Sequence, residues 1–492
     1  MRLEAKILNL RTGGLYVVVL NHEDAKSLNI YPADRIEVSR TIKKKSVICV
    51  ADISSGENVK PGHLGIFDET AKALGLEDKV HIEVKPTERP ISVQIIRKKI
   101  DGGELKQEDF DQVIRDIANN NLSDIEITYF VAACYTKGMT LSESHFLTNS
   151  VVDNAYKLNL KEKIICDKHC IGGIPGNRTT MVVVPIIAAA GFMIPKTSSR
   201  SISSPAGTSD TVEVLAPVYL SPEKVKDIIK KTKGIMIWES SLNPKGAADK
   251  KLIDIRHPLS IDPEGMLLAS IMAKKKAVGA THVLIDIPIG KTAKVKTYWE
   301  AIKLRGKFLK LGRLLKMKTK VIITDGSQPI GNGIGPSLEA RDVISVLQNN
   351  GPNDLRNKSI ALAIEMLKMV NVKNPKKVVL DLIESGKAYA KFMEILYAQG
   401  GRKNPIIPLA EYHYSFEAKR NGVVKEMDNY YFSKVARIAG APKHKTAGIY
   451  LRMHVGDHVK KGDELFSIYA ETKENLEYAK KYALSQEGML IR

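Results

Sequence analysis

Two polar segments of this chain combine the residue types that hold phosphate. Asp167–Gly173 contains Lys168 and ends in two glycines, and Lys196–Thr208 is rich in serine, threonine and basic residues, Arg200 among them. Glycines let the backbone approach a ligand, hydroxyls donate hydrogen bonds to oxyanions, and Lys or Arg supplies the opposing charge. The apolar segment Met181–Ala190 lies between them, so a strand–helix–strand unit would bring both to one edge of a sheet. Together they predict an oxyanion site, although either alone is typical of ordinary turns.

Six motifs carry a family resemblance that runs from about Gln94 to the C-terminus. They are Asp167–Gly173, Ser198–Arg200, Gly207–Asp210, Ala248–Leu252, Leu268–Lys275 and Thr324–Gly331, in this order. They resemble the thymidine and pyrimidine-nucleoside phosphorylases, which implies phosphorolysis of an N-glycosidic bond. Gly173–Arg178, Pro205–Thr208 and the added N-terminal residues resemble the AMP-cleaving branch. That branch implies AMP and phosphate as substrates and adenine and ribose 1,5-bisphosphate as products, with CMP and UMP as further candidate substrates.

The resemblance also implies roles for individual residues. Lys168 matches the point charge on the attacking phosphate, and the matching donors to its oxygens are Gly173, Thr180, Ser198 and Thr208. The candidates for a nucleotide's second phosphate are Lys294 and a hydroxyl-rich loop of Ser199, Arg200, Ser201, Ile202, Ser203 and Ser204. Lys294 equally fits an exposed turn, and which loop holds which phosphate stays open. Ser270 matches a position that contacts the base.

Departure of the base needs a proton, because expelling an anionic purine is costly, and a carboxylic acid with a raised pKa is the usual donor. Asp262 lies just before Ser270 and is the candidate general acid. The alternative role of Asp262 is to cap a helix that begins at Pro263. The resemblance to the AMP-cleaving branch favours catalysis.

The composition bounds the class of protein. With 492 residues, of which 43% are hydrophobic and 26% charged, a globular protein of three or more domains is expected. The net charge of +20 fits an anionic substrate or a nucleic acid, and aromatic residues at 6% make a basic RNA-binding protein the weaker reading. A pyrimidine-nucleoside phosphorylase is the other alternative. We expect no nucleic-acid partner.

No metal or organic cofactor is expected, since phosphate is a co-substrate and the four cysteines lack the paired spacing of a zinc site. The longest apolar run, Met181–Pro195, is broken by Pro185 and Gly191 and is too short to span a bilayer. A signal segment is not evident at the N-terminus. We therefore expect a cytoplasmic protein without a membrane partner.

The order of elements predicts an α/β and α+β multidomain protein. Residues 1–84 contain a weak repeat, Ala25–Ile30 matching Ala71–Leu76, which favours a small pseudo-symmetric β-barrel. This N-terminal domain carries no visible catalytic group, so we expect it to act in assembly of a homo-oligomer, a dimer or larger. Residues 91–160, with 247–276, show helical spacing, and Ser123 and Ser142 stand where helices would be capped.

The remaining residues alternate strands and helices. Residues 161–246 and 277–425 predict a mixed-sheet α/β domain that binds phosphate. Residues 426–492 have Gly-Asp turns between apolar residues, which is typical of a barrel-sandwich segment. The family resemblance implies that substrate lies in a cleft between the helical and α/β domains.

Overall fold

The computed structural model describes residues 1–13, 16–40, 45–201, 204–242, 248–258 and 261–492. The chain divides into two compact units, Met1–Asn154 with Gly246–Leu267 and Ala155–Lys245 with Leu268–Arg492. Each unit is therefore built from two separate stretches of sequence. Among the helices in the described ranges, none combines the length and apolar character that a membrane crossing requires.

The first unit begins with a closed six-stranded β-barrel, as predicted. Its elements are β1 (Arg2–Ile7), β2 (Val17–Asn21), α1 (His22–Ser27), β3 (Arg35–Arg40), β4 (Lys45–Ser54), β5 (His63–Ile66), α2 (Asp68–Leu74) and β6 (His81–Pro86). The strand order is β1-β5-β2-β4-β3-β6, and β1 pairs with β6 to close the sheet. Alternate residues such as Ile36 and Val38 point inward and are fully buried. The strand–helix–strand pattern occurs twice, in β2-α1-β3 and β5-α2-β6, where the sequence repeat lies.

A helical bundle completes the first unit. Its helices are α3 (Ile91–Ile100), α4 (Gln107–Ala118), α5 (Asp124–Thr136), α6 (Leu141–Asp153) and α10 (Ala248–Arg256). Ser123 caps α5 as predicted, because its hydroxyl accepts from the backbone of Glu126 while the Glu126 carboxylate accepts from the Ser123 N–H. The prediction of Ser142 as a cap is wrong. Thr140 caps α6 instead, since it forms the same reciprocal pair with Glu143.

The second unit contains the α/β domain. Its strands are β7 (Cys166–Cys170), β8 (Ile194–Ser198), β9 (Gly234–Trp238), β10 (His282–Ile289) and β11 (Lys318–Asp325). Its helices are α7 (Thr179–Ala189), α8 (Thr208–Val212), α9 (Pro222–Thr232), α12 (Tyr298–Leu314), α13 (Pro336–Leu347), α14 (Asn353–Met369), α15 (Pro375–Glu384) and α16 (Lys387–Gln399), and α11 (Glu264–Ala277) begins in the first unit and ends in the second. A short 3₁₀ helix covers Glu239–Ser241.

The strand pairs of this domain are β11-β10-β7 and β8-β9, all parallel. A mixed sheet was expected here, but helices connect these strands and return the chain to the same starting edge, which favours parallel pairing. Helix α7 is apolar on every side and lies fully inside the domain core, against α14 and α16. The sheet and helices thereby hold the carboxyl ends of β7, β10 and β11 along one edge.

The C-terminal part of the second unit forms two further small sheets around one core. Its elements are β12 (Gly333–Ile334), β13 (Tyr412–Glu417), β14 (Gly422–Met427), α17 (Asn429–Ile438), β15 (Gly448–Leu451), β16 (His458–Val459), β17 (Glu464–Ala470), α18 (Lys473–Ser485) and β18 (Met489–Ile491). The sheet orders are β12-β15-β17-β13 and β16-β14-β18. Phe432 and Phe466 pack edge to face in the shared core. Strand β12 precedes α13 of the α/β domain, so its pairing with β15 joins the two parts.

The stability of the protein is expected to fall as pH rises from about 4 to 7 because of Asp342 in α13. Burial raises the pKa of Asp342 to about 7, although its carboxylate accepts hydrogen bonds from Gly333 and Asn332. The folded protein then binds a proton that the unfolded chain has released, so each pH unit in this window lowers the free energy of unfolding by up to about 1.4 kcal/mol.

Asp342→Asn is expected to flatten this dependence, since its amide oxygen can still accept from both backbone N–H groups. Thermal unfolding from pH 5 to 8 measures the effect, and Asp381→Asn on the exposed surface of α15 is the control. An unchanged slope in Asp342→Asn would contradict the assignment.

Candidate active site

The carboxyl ends of β7, β10 and β11 bring charged side chains together. In the parallel register Cys170 lies opposite Asp286, and Pro288 lies opposite Thr324. Lys168, on β7, is fully buried. Its ammonium donates to the hydroxyl of Thr179 at 2.7 Å and to that of Thr180 at 3.4 Å. The structure therefore brings two of the predicted residues, Lys168 and Thr180, into direct contact.

Asp286 is the carboxylate nearest to Lys168 among the residues that the structure describes. Its Oδ2 lies 3.9 Å from the Lys168 Nζ and 3.4 Å from the Nζ of Lys358, while its Oδ1 accepts from the Thr324 hydroxyl at 2.6 Å. Burial lowers the pKa of Lys168, and Asp286 opposes this shift. Burial would raise the pKa of Asp286, but Lys168 and Lys358 outweigh it and hold that pKa below its usual value. The cluster thus contains two cations, Lys168 and Lys358, and one anion, Asp286.

Sequence reasoning missed Asp286, Thr324 and Lys358 as site residues. Asp286 carried a usable signal, because it is the one charged residue within the otherwise apolar run Val283–Ile289. A charge in a buried strand is costly unless it is paired, so such a residue points to a partner. Lys358, on α14, carries no such signal among the many lysines of the chain.

A second buried charge cluster lies around Asp167. Its Oδ2 accepts from the Lys275 ammonium at 2.6 Å, and its Oδ1 lies 3.7 Å from the Nζ of Lys196. Lys196 also donates to the carbonyl of Lys168 at 2.8 Å, which fixes the strand beside the site. Desolvation, together with the ammonium groups of Lys275 and Lys196, lowers the pKa of His169 well below its usual value. His169 is therefore neutral at pH 7.

Arg178 joins the two polar segments that the sequence singled out. Its guanidinium donates to the Ala206 carbonyl at 2.6 Å, reaches the Thr208 hydroxyl at 3.5 Å, and pairs with the buried carboxylate of Glu339. Thr208 is therefore held beside the loop that follows β7. The side-chain amide of Asn177, in that loop, contacts the Cys170 sulfur at 3.3 Å.

Gly173 allows this loop to approach the backbone of Lys294. Its φ is +94°, and a Cβ at this position would lie 2.6 Å from the Lys294 nitrogen. Gly172 has a similar φ of +87°, yet a Cβ there would meet nothing within 4 Å. Both glycines relieve backbone strain, but only Gly173 also makes room for a neighbouring chain segment.

Gly173→Ala is expected to lower kcat/KM for the phosphorolysis that the motif resemblance implies by about 10- to 100-fold more than Gly172→Ala, because a shift of about 1 Å in a site loop has effects of this size. Gly172→Ala is the matched control, since it introduces the same strain without the collision. The comparison requires kcat/KM and the thermal midpoint of both variants. Equal losses would show that the contact with Lys294 is unimportant.

The hydroxyl-rich loop is organised by Asp210. Its Oδ2 accepts from the backbone N–H groups of Ser201 at 2.7 Å and Gly207 at 2.9 Å. The Ser204 hydroxyl donates to the Ala206 carbonyl at 3.0 Å, and Ser198, at the end of β8, lies 2.7 Å from the Ser209 hydroxyl. Ile202 and Ser203, both predicted substrate contacts, lie outside the described residues.

Arg200, which was expected to bind phosphate, is paired with carboxylates. One nitrogen donates to Glu213 at 2.6 Å, a second contacts the other oxygen, and the guanidinium lies 4.8 Å from the ring centre of Trp238. Hydrogen bonding from Arg200, aided by Lys445, lowers the pKa of Glu213 to about 2 despite partial burial. The charge of Arg200 is thus balanced within the protein. Ser199 precedes it at the carboxyl end of β8.

The remaining predicted residues lie on α11 and its approaches. Asp262 belongs to the first unit, where its Oδ1 accepts from Arg256 at 3.0 Å and its side chain is 32% exposed. Ser270 and Lys294 belong to the second unit, Ser270 buried on α11 and Lys294 between β10 and α12. In the described part of the chain, no group of three or more His, Cys, Asp or Glu side chains could hold a metal ion.

Family models match three parts of the chain. The helical bundle domain of a glycosyl transferase family matches residues 93–155, the α/β domain of that family matches 162–389, and the C-terminal domain of pyrimidine nucleoside phosphorylase matches 423–486. The AMP phosphorylase of Thermofilum pendens is 40% identical over 100% of this chain and 95% of its own length. This chain belongs to the AMP phosphorylase family. The resemblance inferred from the six motifs is confirmed.

Three further proteins are similar to this chain to different degrees. The AMP phosphorylase of Methanocaldococcus jannaschii is 40% identical over 100% of this chain and 98% of its own length. A putative thymidine phosphorylase of Legionella pneumophila is 42% identical over 93% of this chain and 88% of its own. Anthranilate phosphoribosyltransferase of Thermus thermophilus shares the fold with a TM-score of 0.52 at 16% identity, covering 62% of this chain and 99% of that one.

Proposed function

We propose that this protein cleaves AMP with inorganic phosphate, giving adenine and ribose 1,5-bisphosphate. The observation that carries the proposal is similarity to AMP phosphorylases over the whole chain, the N-terminal barrel included. The buried Lys168 beside the hydroxyls of Thr179 and Thr180 provides the oxyanion chemistry that this reaction needs. These relatives do not favour a basic RNA-binding protein or a pyrimidine-nucleoside phosphorylase.

In the proposed reaction a phosphate oxygen attacks the anomeric carbon of the ribose as the bond to the base nitrogen breaks. Lys168 holds the attacking phosphate and offsets its charge, with Gly173, Thr180, Ser198 and Thr208 as further contacts. Positioning and fixed charge contribute most of the rate, since the transition state is oxocarbenium-like. Asp262 donates a proton to a ring nitrogen, so that the base leaves as neutral adenine.

The second phosphate of the nucleotide is assigned to the loop that contains Ser199, Ser201 and Ser204, with Lys294 as a second contact. Support comes from the structure of this loop, in which the Asp210 carboxylate accepts hydrogen bonds from the backbone N–H groups of Ser201 and Gly207. Arg200 acts in this proposal through the loop, because its guanidinium is bound to Glu213. Ser270 is assigned to the base.

A substrate panel tests the proposal. Phosphate-dependent base release is measured for AMP, CMP, UMP and the corresponding nucleosides, and the sugar product is identified by ³¹P NMR. We expect release from AMP with a product that carries two phosphate groups. Ready release from adenosine and none from AMP would show that the nucleotide version is wrong.

We also infer that the N-terminal barrel acts in assembly of a homo-oligomer. The support is that the barrel holds none of the residues assigned to substrate. Removing residues 1–84 should change the number of subunits per assembly, as measured by light scattering, more than it changes turnover per intact site, and an unchanged subunit number would contradict this role.

A further inference from the structure

The unusual feature of the Lys168 site is the spacing of its charges. Two other buried carboxylates each have one close lysine, Lys275 on Asp167 and Lys99 on Glu143, both at 2.6 Å, and Lys196 lies 3.7 Å from Asp167 as well. Asp286 Oδ2 instead lies 3.9 Å from one lysine and 3.4 Å from another, and neither distance is a normal hydrogen bond. Among the residues that the structure describes, neither this oxygen nor the Lys358 ammonium has a hydrogen-bond partner. The carboxylate is shared between two cations.

We propose that Lys358 is a positioning residue for the attacking phosphate, because by sharing Asp286 it keeps Lys168 from closing onto that carboxylate. This inference rests on the proposed phosphorolysis. If Asp286 faced Lys168 alone, the two would form a neutral buried pair, which phosphate would have to break at considerable cost. With Lys358 present, the site keeps one net positive charge that an oxyanion can balance.

The charges around Lys168 are consistent with one net positive charge on Lys168, Lys358 and Asp286 taken together. The groups with the largest effects on Lys168 are Asp286 on β10, Cys170 on the same strand as Lys168, Lys358 on α14 and Arg178 before α7. Lys196 on β8 also interacts with Lys168, and it shares the Asp167 carboxylate with Lys275. Burial raises the pKa of the Cys170 thiol, so it carries no charge near neutral pH. Arg178 is balanced by its pairing with Glu339. Lys358 is therefore the cation that sets the net charge on the Asp286 side of Lys168.

A role of this kind predicts a change in pH dependence. Lys358 lowers the pKa of Lys168, in the same direction as burial, whereas Asp286 raises it. Loss of the Lys358 charge would raise the pKa of Lys168, so the decline of activity at alkaline pH would move to higher pH. A merely structural role for Lys358 would leave this limb of the profile in place.

The test is steady-state kinetics of Lys358→Met and Lys358→Arg with both substrates varied. In Lys358→Met we expect the KM for phosphate to rise by about 10- to 100-fold, the KM for AMP to change less than about threefold, and the alkaline limb to move upward. Lys358→Arg keeps the charge and should restore most of the phosphate affinity. The matched control is Lys368→Met on the same helix, whose ammonium pairs with Glu365. It should behave like the wild type.

Equal rises in both KM values, or an alkaline limb that does not move, would overturn the proposal. If Lys358→Met does not fold, Lys358→Gln takes its place with the same expectations. Thermal unfolding with and without inorganic phosphate distinguishes failure of the inference about Lys358 from failure of the proposed function, because the shift in thermal midpoint reports phosphate binding and needs no catalysis. If the wild type releases no base from AMP, the phosphate-induced shift should still be lost in Lys358→Met and kept in Lys358→Arg, and its retention in Lys358→Met would refute the role.

Discussion

Lys168→Met is expected to lower kcat/KM for phosphate by about 10²- to 10³-fold, because it removes a preorganised charge from the site. The variant removes the buried cation that the attacking phosphate meets and leaves its hydroxyl partners, Thr179 and Thr180, without their donor. Asp286 keeps Lys358 as a neighbour, so the fold should survive. Phosphate-dependent release of adenine from AMP measures the loss.

The control for this prediction is Lys291→Met. Lys291 is 83% exposed, pairs only at the surface with Glu426, and is not assigned to substrate. It should retain the activity of the wild type. Near-normal activity of Lys168→Met, with an unchanged thermal midpoint, would show that phosphate binds elsewhere.

Asp262→Asn is expected to lower kcat for AMP by about 10²- to 10⁴-fold while the KM for AMP changes little, because a general acid acts mainly in the transition state. Asparagine retains a side-chain oxygen that could accept from Arg256 as Asp262 does at 3.0 Å. The loss should therefore reflect the missing proton, not a displaced arginine.

A substrate that needs no proton distinguishes catalysis from helix capping. The base of a 7-methylpurine nucleotide leaves as a neutral molecule, so Asp262→Asn should cleave it at a rate close to that of the wild type. If Asp262 only supports the start of α11, the variant should instead lose thermal stability and keep its activity on AMP. Asp254→Asn, on the exposed face of α10, is a control for loss of a nearby surface carboxylate.

Local patterns in the sequence predicted the helices and strands better than they predicted which strands pair with each other. Alternating apolar residues and a repeated motif were enough for the barrel, because a strand's side chains point to opposite faces. Helical spacing located α4, in which Phe110 and Ile117 are fully buried. The cap of α6 was misplaced by two residues, since Thr140 and Ser142 are both good caps and only Thr140 has Glu143 at the reciprocal position. Parallel strand pairing depends on the connections between strands, which periodicity does not reveal.

The candidate site was predictable where its residues are close in sequence. Lys168 and Thr180 are twelve positions apart in the sequence, and their side chains lie 3.4 Å apart in the structure. Asp286 and Lys358 come from distant parts of the chain, and only folding brings them to Lys168. Arg200 has a partner that its residue type does not reveal, because Glu213, thirteen positions onward, binds its guanidinium within the protein. Residue type alone could not distinguish these outcomes.

The closed N-terminal β-barrel restricts how the protein can associate with other copies of itself. Since β1 pairs with both β5 and β6, every barrel strand that the structure describes has a neighbouring strand on each side, and the sheet has no edge strand. Strand addition, a common route to both specific dimers and fibrous aggregates, is therefore closed to it. Any subunit contact made through the barrel must be formed by side chains and loops, so surface substitutions can tune it without touching the ring itself.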